Sequence, residues 1–248
     1  MSSQPQRIAW MTATVREVVE DTARVRSLVL DVPGWPGHRA GQHVDVRLTA
    51  PDGYQAQRSY SIASAPKDDR LAITVEALPD GEVSSYLVGE LRVGDKLELR
   101  GPIGGYFVWE ADRTEPLLLV AGGSGVVPLM SMIRHRRATG AAVAAKLLFS
   151  SRAWEDVIYR DELERLASVG EGFELIHTLT RMQPEGWTGY TRRVDAAMLS
   201  DVGWSASAMP ASFVCGPTPF VEAVASALVL MGHAASTIKT ERFGPTGG

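Results

Sequence analysis

The chain has 248 residues, 45% hydrophobic and 22% charged, a globular composition and enough length for one large domain or two ordinary ones. Its formal net charge of -4 argues against nucleic acid as a partner, and its longest apolar runs, such as LLLVA at 117–121, fall far short of a membrane span. The single cysteine, Cys215, excludes an internal disulfide and a cysteine-ligated iron–sulfur cluster, which takes about four thiolates. Five histidines stand far apart without metal-ligand spacing. The opening MSSQPQRIAW has no apolar signal-peptide core, so a cytoplasmic protein without a bound metal is expected.

Short strand-like segments come first: ATVREVVED (13–21), VRSLVLDVP (25–33), GQHVDVRLT (41–49), QRSYSIASA (57–65), LAITVEAL (71–78) and DKLELRGP (95–102). Turn residues separate most of them, which predicts a small antiparallel barrel or sandwich. One helix, EVSSYLVGELR at 82–92, interrupts the series. The polar stretch EADRTEP (110–116) marks the expected junction between domains of 1–112 and 113–248. Apolar strands then alternate with amphipathic helices: LLLVA, helix VPLMSMIRHRR, KLLFSS, helix YRDELERLAS, FELIHTLT, SFVCGP and helix TPFVEAVASALVLMG. That alternation predicts βαβ units and a parallel sheet.

Two stretches carry chemistry. In QRSYS, side-chain alternation puts Arg58 and Tyr60 on one face of a strand and Ser59 and Ser61 on the other; an exposed edge strand is the plain reading of those four residues alone. In VAGGSGVVP (120–128), glycines between a strand and a helix let the backbone approach a pyrophosphate at the helix N-terminus. Gly123, Gly125 and Pro128 spell G-x-G-x-x-P, not the full dinucleotide fingerprint. The serine-hydrolase elbow G-x-S-x-G fails, because residue 126 is valine.

With two further motifs in the same order, the chain resembles the ferredoxin–NADP reductase superfamily from about residue 10 to 244. The resemblance implies an N-terminal antiparallel β-barrel flavin domain followed by an α/β Rossmann-like nucleotide domain. In Arg58-Ser59-Tyr60-Ser61 it implies that arginine meets the flavin pyrophosphate, tyrosine packs on the isoalloxazine ring, and Ser61 hydrogen-bonds near flavin N5. GEVSSYL (81–87) is similar to the family's G-x-x-S at a helix start, so Val83, Ser84 and Ser85 would face the pyrophosphate, favouring FAD over FMN; a plain serine N-cap uses the same residue types. GPIGGYF (101–107) resembles the family's structural closing strand. Gly123, Ser124 and Gly125 form its nucleotide loop. Val214-Cys215-Gly216-Pro217 places Cys215 near the nicotinamide C4, although a lone cysteine in an apolar strand is ordinarily a small buried hydrophobe. Phe243 stands where the family shields its flavin, with Glu241 a candidate proton relay, while the chain runs on through Gly244 to Gly248.

Ser151 and Arg152 after the second strand, and Arg181 after the third, supply donors and positive charge for a 2′-phosphate. NADPH is therefore expected over NADH, with Glu155 and Asp156 nearby weighing against it. The expected function is hydride transfer from NADPH to FAD and electron delivery to a separate ferredoxin, oxygenase or other redox protein. A basic rim would suit an acidic carrier, with Arg16, Arg39 and Arg47 as candidates. A diaphorase reducing flavins, quinones or ferric chelates, and a non-catalytic flavin- or nucleotide-binding module, are the alternatives.

Overall fold

The computed structural model describes residues 8–243; the tail from Gly244 to Gly248 lies outside them. Six antiparallel strands form the first sheet: β1 (Met11–Thr22), β2 (Val25–Asp31), β3 (His43–Thr49), β4 (Gln55–Ser61), β5 (Leu71–Glu76) and β6 (Lys96–Ile103). Their order is β4-β3-β6-β1-β2-β5. An antiparallel bridge from Ile62 to Ile73 joins the two edges, so the sheet curls into a barrel. Leu28, Leu30, Val44, Val46, Ile73 and Leu99 fill its interior, at alternate positions along their strands. The helix α1 (Glu82–Gly89) packs against β4 and β5. It stops three residues earlier than the pattern predicts, because Leu91 turns into the barrel core at 2% exposure.

The second sheet is parallel, in the order β11-β10-β7-β8-β9. It comprises β7 (Leu117–Gly122), β8 (Ala145–Ser151), β9 (Phe173–Leu179), β10 (Ala211–Pro217) and β11 (Ile238–Phe243). The helices α2 (Val126–Thr139) and α3 (Arg160–Val169) cover the face of Leu119, Ala121, Leu147 and Phe149. The other face, with Leu118, Val120, Leu148 and Val214, is covered by α4 (Ala196–Val202) and α5 (Thr218–Leu230). Sequence periodicity missed α4, which is short and capped by Asp195 accepting from the Met198 amide at 2.8 Å. No helix among the described residues is long and apolar enough to cross a membrane.

The two units share packing. Val25, Ala40, Phe107 and Trp109 of the first belong to the same buried cluster as α2 and β7 of the second. Phe107 meets Phe213 edge-to-face at 5.3 Å, a favourable aromatic geometry. Tyr106 Oη donates to the Ile238 carbonyl at 3.3 Å, and Lys239 Nζ to that of Val108 at 3.0 Å.

Candidate active site in the interdomain cleft

On β4, alternation sorts the motif residues as expected. Ser59 Oγ donates to Asp45 Oδ1 at 2.6 Å, and that buried carboxylate also accepts from Gln57 and Arg100. The Ser59 hydroxyl is thus committed to the face opposite Arg58 and Tyr60, and its backbone alone is left for the site. Arg58 is exposed. Its guanidinium donates to the Gln57 carbonyl at 2.7 Å and forms no ion pair with the described residues. Tyr60 packs half-buried against the barrel core, and burial pushes its phenol well above the ordinary range. An open guanidinium beside a flat, half-covered ring fits a pyrophosphate joined to an aromatic system.

The α1 start keeps the expected backbone donors but engages its serine hydroxyls elsewhere. Ser84 Oγ accepts from the Leu78 amide and donates to the Gly81 carbonyl, each at 3.2 Å. Ser85 Oγ donates to the Leu78 carbonyl at 3.3 Å. Both hydroxyls close the turn before the helix, and no side chain among the described residues caps α1. The first-turn amides, that of Val83 included, are what the helix can offer a phosphate.

In the second sheet, β7 leads on one side to β8 and β9, whereas β10 and β11 lie on the other. The crevice between the carboxyl ends of β7 and β10 is therefore a topological switch point, where open α/β sheets bind ligands. The glycine loop and Cys215-Gly216-Pro217 meet there. A Cβ on Gly125 would sit 2.2 Å from the Cys215 carbonyl oxygen, so only glycine allows the loop to lie against β10. Gly123 takes φ +55 with open space around it, and Ser124 beside it is half-buried.

Strand register then draws the remaining groups together. Cys215 pairs with Glu241, and Pro217 with Phe243, across β10 and β11. Cys215 is 2% exposed. Burial first, and the Glu241 carboxylate second, push its thiol well above the ordinary value, against a smaller opposing effect of the Gly216 amide. It is a packed thiol, not a nucleophile. Glu241 crosses to the barrel, where its Oε1 accepts from Ser61 Oγ at 3.4 Å. Burial raises its carboxyl to about 7 despite that hydrogen bond. Phe243, at the end of β11, is 36% exposed.

At the carboxyl ends of β8 and β9, the Arg181 amide donates to the Arg152 carbonyl at 2.9 Å, holding the two arginines side by side. Both side chains are exposed, without ion pairs among the described residues. Ser151 is buried, its hydroxyl without a partner among the described residues. A cluster of rings not marked in the sequence also gathers around β8 and β9: His177 lies 5.4 Å from Trp154 and 5.8 Å from Phe149, and Trp154 lies 5.5 Å from Trp187. Burial lowers His177 to about 4, so it stays neutral. Of the arginines considered for a basic rim, Arg16 pairs with Asp31, Arg39 with Glu110 and Arg47 with Glu98.

Residues 12–108 match the family of oxidoreductase FAD-binding domains, and residues 119–226 that of oxidoreductase NAD-binding domains. The chain is 35% identical over 237 residues to the glycine betaine monooxygenase reductase subunit of Chromohalobacter salexigens. That match takes in 93% of this chain and 63% of the relative, so the chain spans less than two thirds of that protein. Identity with NADH-cytochrome b5 reductase 1 of Aspergillus terreus is 32% over 212 residues, 82% of this chain and 69% of that one. A ferredoxin NADP+ reductase from Neisseria gonorrhoeae, solved with bound FAD and NADP, has the same fold: TM-score 0.81 at 20% identity, covering 94% of this chain and 98% of that one.

Proposed function

Because the chain belongs to the ferredoxin–NADP reductase superfamily, we propose that it is an FAD-dependent reductase taking hydride from NADPH and delivering electrons to a separate redox protein. The observation that carries this reading is the contact of Ser61, from the barrel, with Glu241, the register partner of Cys215 in the parallel sheet. That contact supports one cleft shared by the flavin-side and the nicotinamide-side residues.

A flavin bound there would accept two electrons as hydride and release them singly. The chain's own residues bind, orient and exclude water. Arg58 and the first-turn amides of α1 would neutralise a pyrophosphate, and Tyr60 would support the ring. Gly123, Ser124 and Gly125, with the α2 N-terminus, would receive the nucleotide phosphates. Cys215, Gly216 and Pro217 would form the floor under the nicotinamide, and Phe243, the register partner of Pro217, would cover the cleft beside them. Glu241 can hold or release a proton at neutral pH next to Ser61 Oγ, where a general acid–base group works best.

The open pair Arg152 and Arg181 supports NADPH, since a 2′-phosphate asks for cationic donors. The name of the Aspergillus relative points to NADH instead, so both nucleotides belong in the test. An oxygenase component is the favoured acceptor, from the name of the Chromohalobacter relative. Purified protein should show flavin absorbance that anaerobic NADPH bleaches faster than NADH. Faster bleaching by NADH would overturn the nucleotide choice; absence of flavin after FAD is added would overturn the enzyme.

A further inference from the structure

We propose that Ser131 and Arg134 are positioning residues that, through α2, set the spacing between the flavin-side and nicotinamide-side groups. This rests on Ser61 and Cys215 marking those two sides.

The helix touches both halves of the site. At its N-terminal end, Gly125 lies directly against the Cys215 peptide. Further along, Ser131 Oγ donates to the Ser64 carbonyl at 2.7 Å, and Arg134 Nη1 donates to the Ala63 carbonyl at 2.8 Å. Those carbonyls follow Ser61 by only two and three residues. The same segment is fixed from the barrel side through its amides: Ile62 donates to Gln42 at 2.9 Å and Ala63 to Ala72 at 2.7 Å. The segment is thus held by the barrel through its N–H groups, while Arg134 takes the Ala63 carbonyl and Ser131 shares the Ser64 carbonyl with His38 Nε2 of the barrel, at 3.1 Å. From Gly125 to Arg134, an α-helix at about 1.5 Å per residue is a strut of about 13 Å.

Arg134 is itself held on three sides. Its Nε and Nη2 donate to Glu162 of α3 at 3.0 and 2.6 Å. Its guanidinium lies 5.0 Å from the ring centroid of Tyr159. Tyr159 takes φ 58, a conformation a bulky residue keeps only when its surroundings hold it. Its hydroxyl donates to Thr74 of the barrel, and Thr74 is hydrogen-bonded to Ser27, which donates to Asp21. Only a planar fork serves Ala63 and Glu162 together, so lysine is a poor substitute.

Transfer between two bound groups is steeply sensitive to distance, about 100-fold for a 1 Å misplacement. Loss of a positioning residue should therefore lower the limiting rate of flavin reduction while leaving nucleotide affinity alone. Stopped-flow reduction by NADPH and NADH of the flavin-loaded Arg134→Lys and Ser131→Ala variants tests this. The limiting rate should fall about tenfold or more in R134K and about threefold in S131A. Nucleotide Kd and the oxidised flavin spectrum should stay within twofold of wild type, and the nicotinamide–flavin charge-transfer absorbance should weaken. If R134K fails to fold, S131A, which loses one hydroxyl, decides. Limiting rates within twofold of wild type, with normal charge-transfer absorbance, would overturn the proposal alone. A wild-type flavin that neither nucleotide bleaches would overturn it together with the reading of the site.

Discussion

Ser61 and Glu241, 180 residues apart in the chain, meet at 3.4 Å across the boundary between barrel and parallel sheet. Two strands of different sheets meet at that point: β4 closes with Ser61, and β11 carries Glu241, the register partner of Cys215, two residues before its end. The contact leaves the Glu241 carboxyl half-buried between the two sheets. Desolvation by the two packed domains raises Glu241, and one long hydrogen bond does not offset it.

A pH dependence follows from that balance. The Glu241 carboxyl moves from an ordinary 4.5 to about 7 on folding, so the native state binds this proton more tightly than the unfolded chain. Its contribution to stability is complete below about 4.5 and is lost as pH rises through 7, with about 1–3 kcal/mol at stake. Denaturant unfolding of wild type and Glu241→Gln from pH 4.5 to 8 isolates the effect. The stability difference should shift in favour of the variant as pH rises; parallel curves would show that Glu241 titrates normally.

Arg58 should govern flavin retention. Its guanidinium is open and forms no ion pair with the described residues, and a charge-assisted bond to phosphate contributes about 1.5–3 kcal/mol. Arg58→Ala should bind FAD about 10- to 100-fold more weakly, read as the flavin-to-protein ratio and by titration of the apoprotein. Full occupancy after purification would show that the β4 face does not hold the pyrophosphate.

Local signals explain which parts were legible in the sequence. Strand alternation assigned Arg58 and Tyr60 to one face, and glycines between β7 and α2 marked the loop against β10. What pairs across long separations left no such mark. The commitment of Ser59 to Asp45, the grip of Arg134 on Ala63 and the neutralisation of Arg47 by Glu98 each join separate elements. The ring bed of Trp154, His177 and Trp187 is similar: its members alternate or scatter in sequence and meet only when β8 and β9 pair.

Nucleotide preference should reside in Arg152 and Arg181, held adjacent by the bond from the Arg181 amide to the Arg152 carbonyl. Removal of either side chain takes away a cation without touching the sheet. Alanine at either position should raise KM for NADPH about tenfold while changing that for NADH less than twofold. Equal effects on both nucleotides would assign the arginines to the shared diphosphate or to solvent.

The glycine loop offers a contrast within three residues. At Gly125 a Cβ would come within 2.2 Å of the Cys215 oxygen and 2.4 Å of its carbonyl carbon, both backbone atoms that cannot turn aside. Gly125→Ala must displace either α2 or β10, at a cost of about 1–3 kcal/mol or more. At Gly123 none of the described residues lies within 4 Å of the added carbon, and the φ of +55 opposes alanine, costing about 1–2 kcal/mol. Thermal unfolding should place G125A below G123A, and G125A should also lose nucleotide-driven flavin reduction because the Cys215 floor moves. A G125A protein as stable as G123A would mean that the loop does not press on β10, and with it the close approach of nucleotide loop and nicotinamide floor would fall.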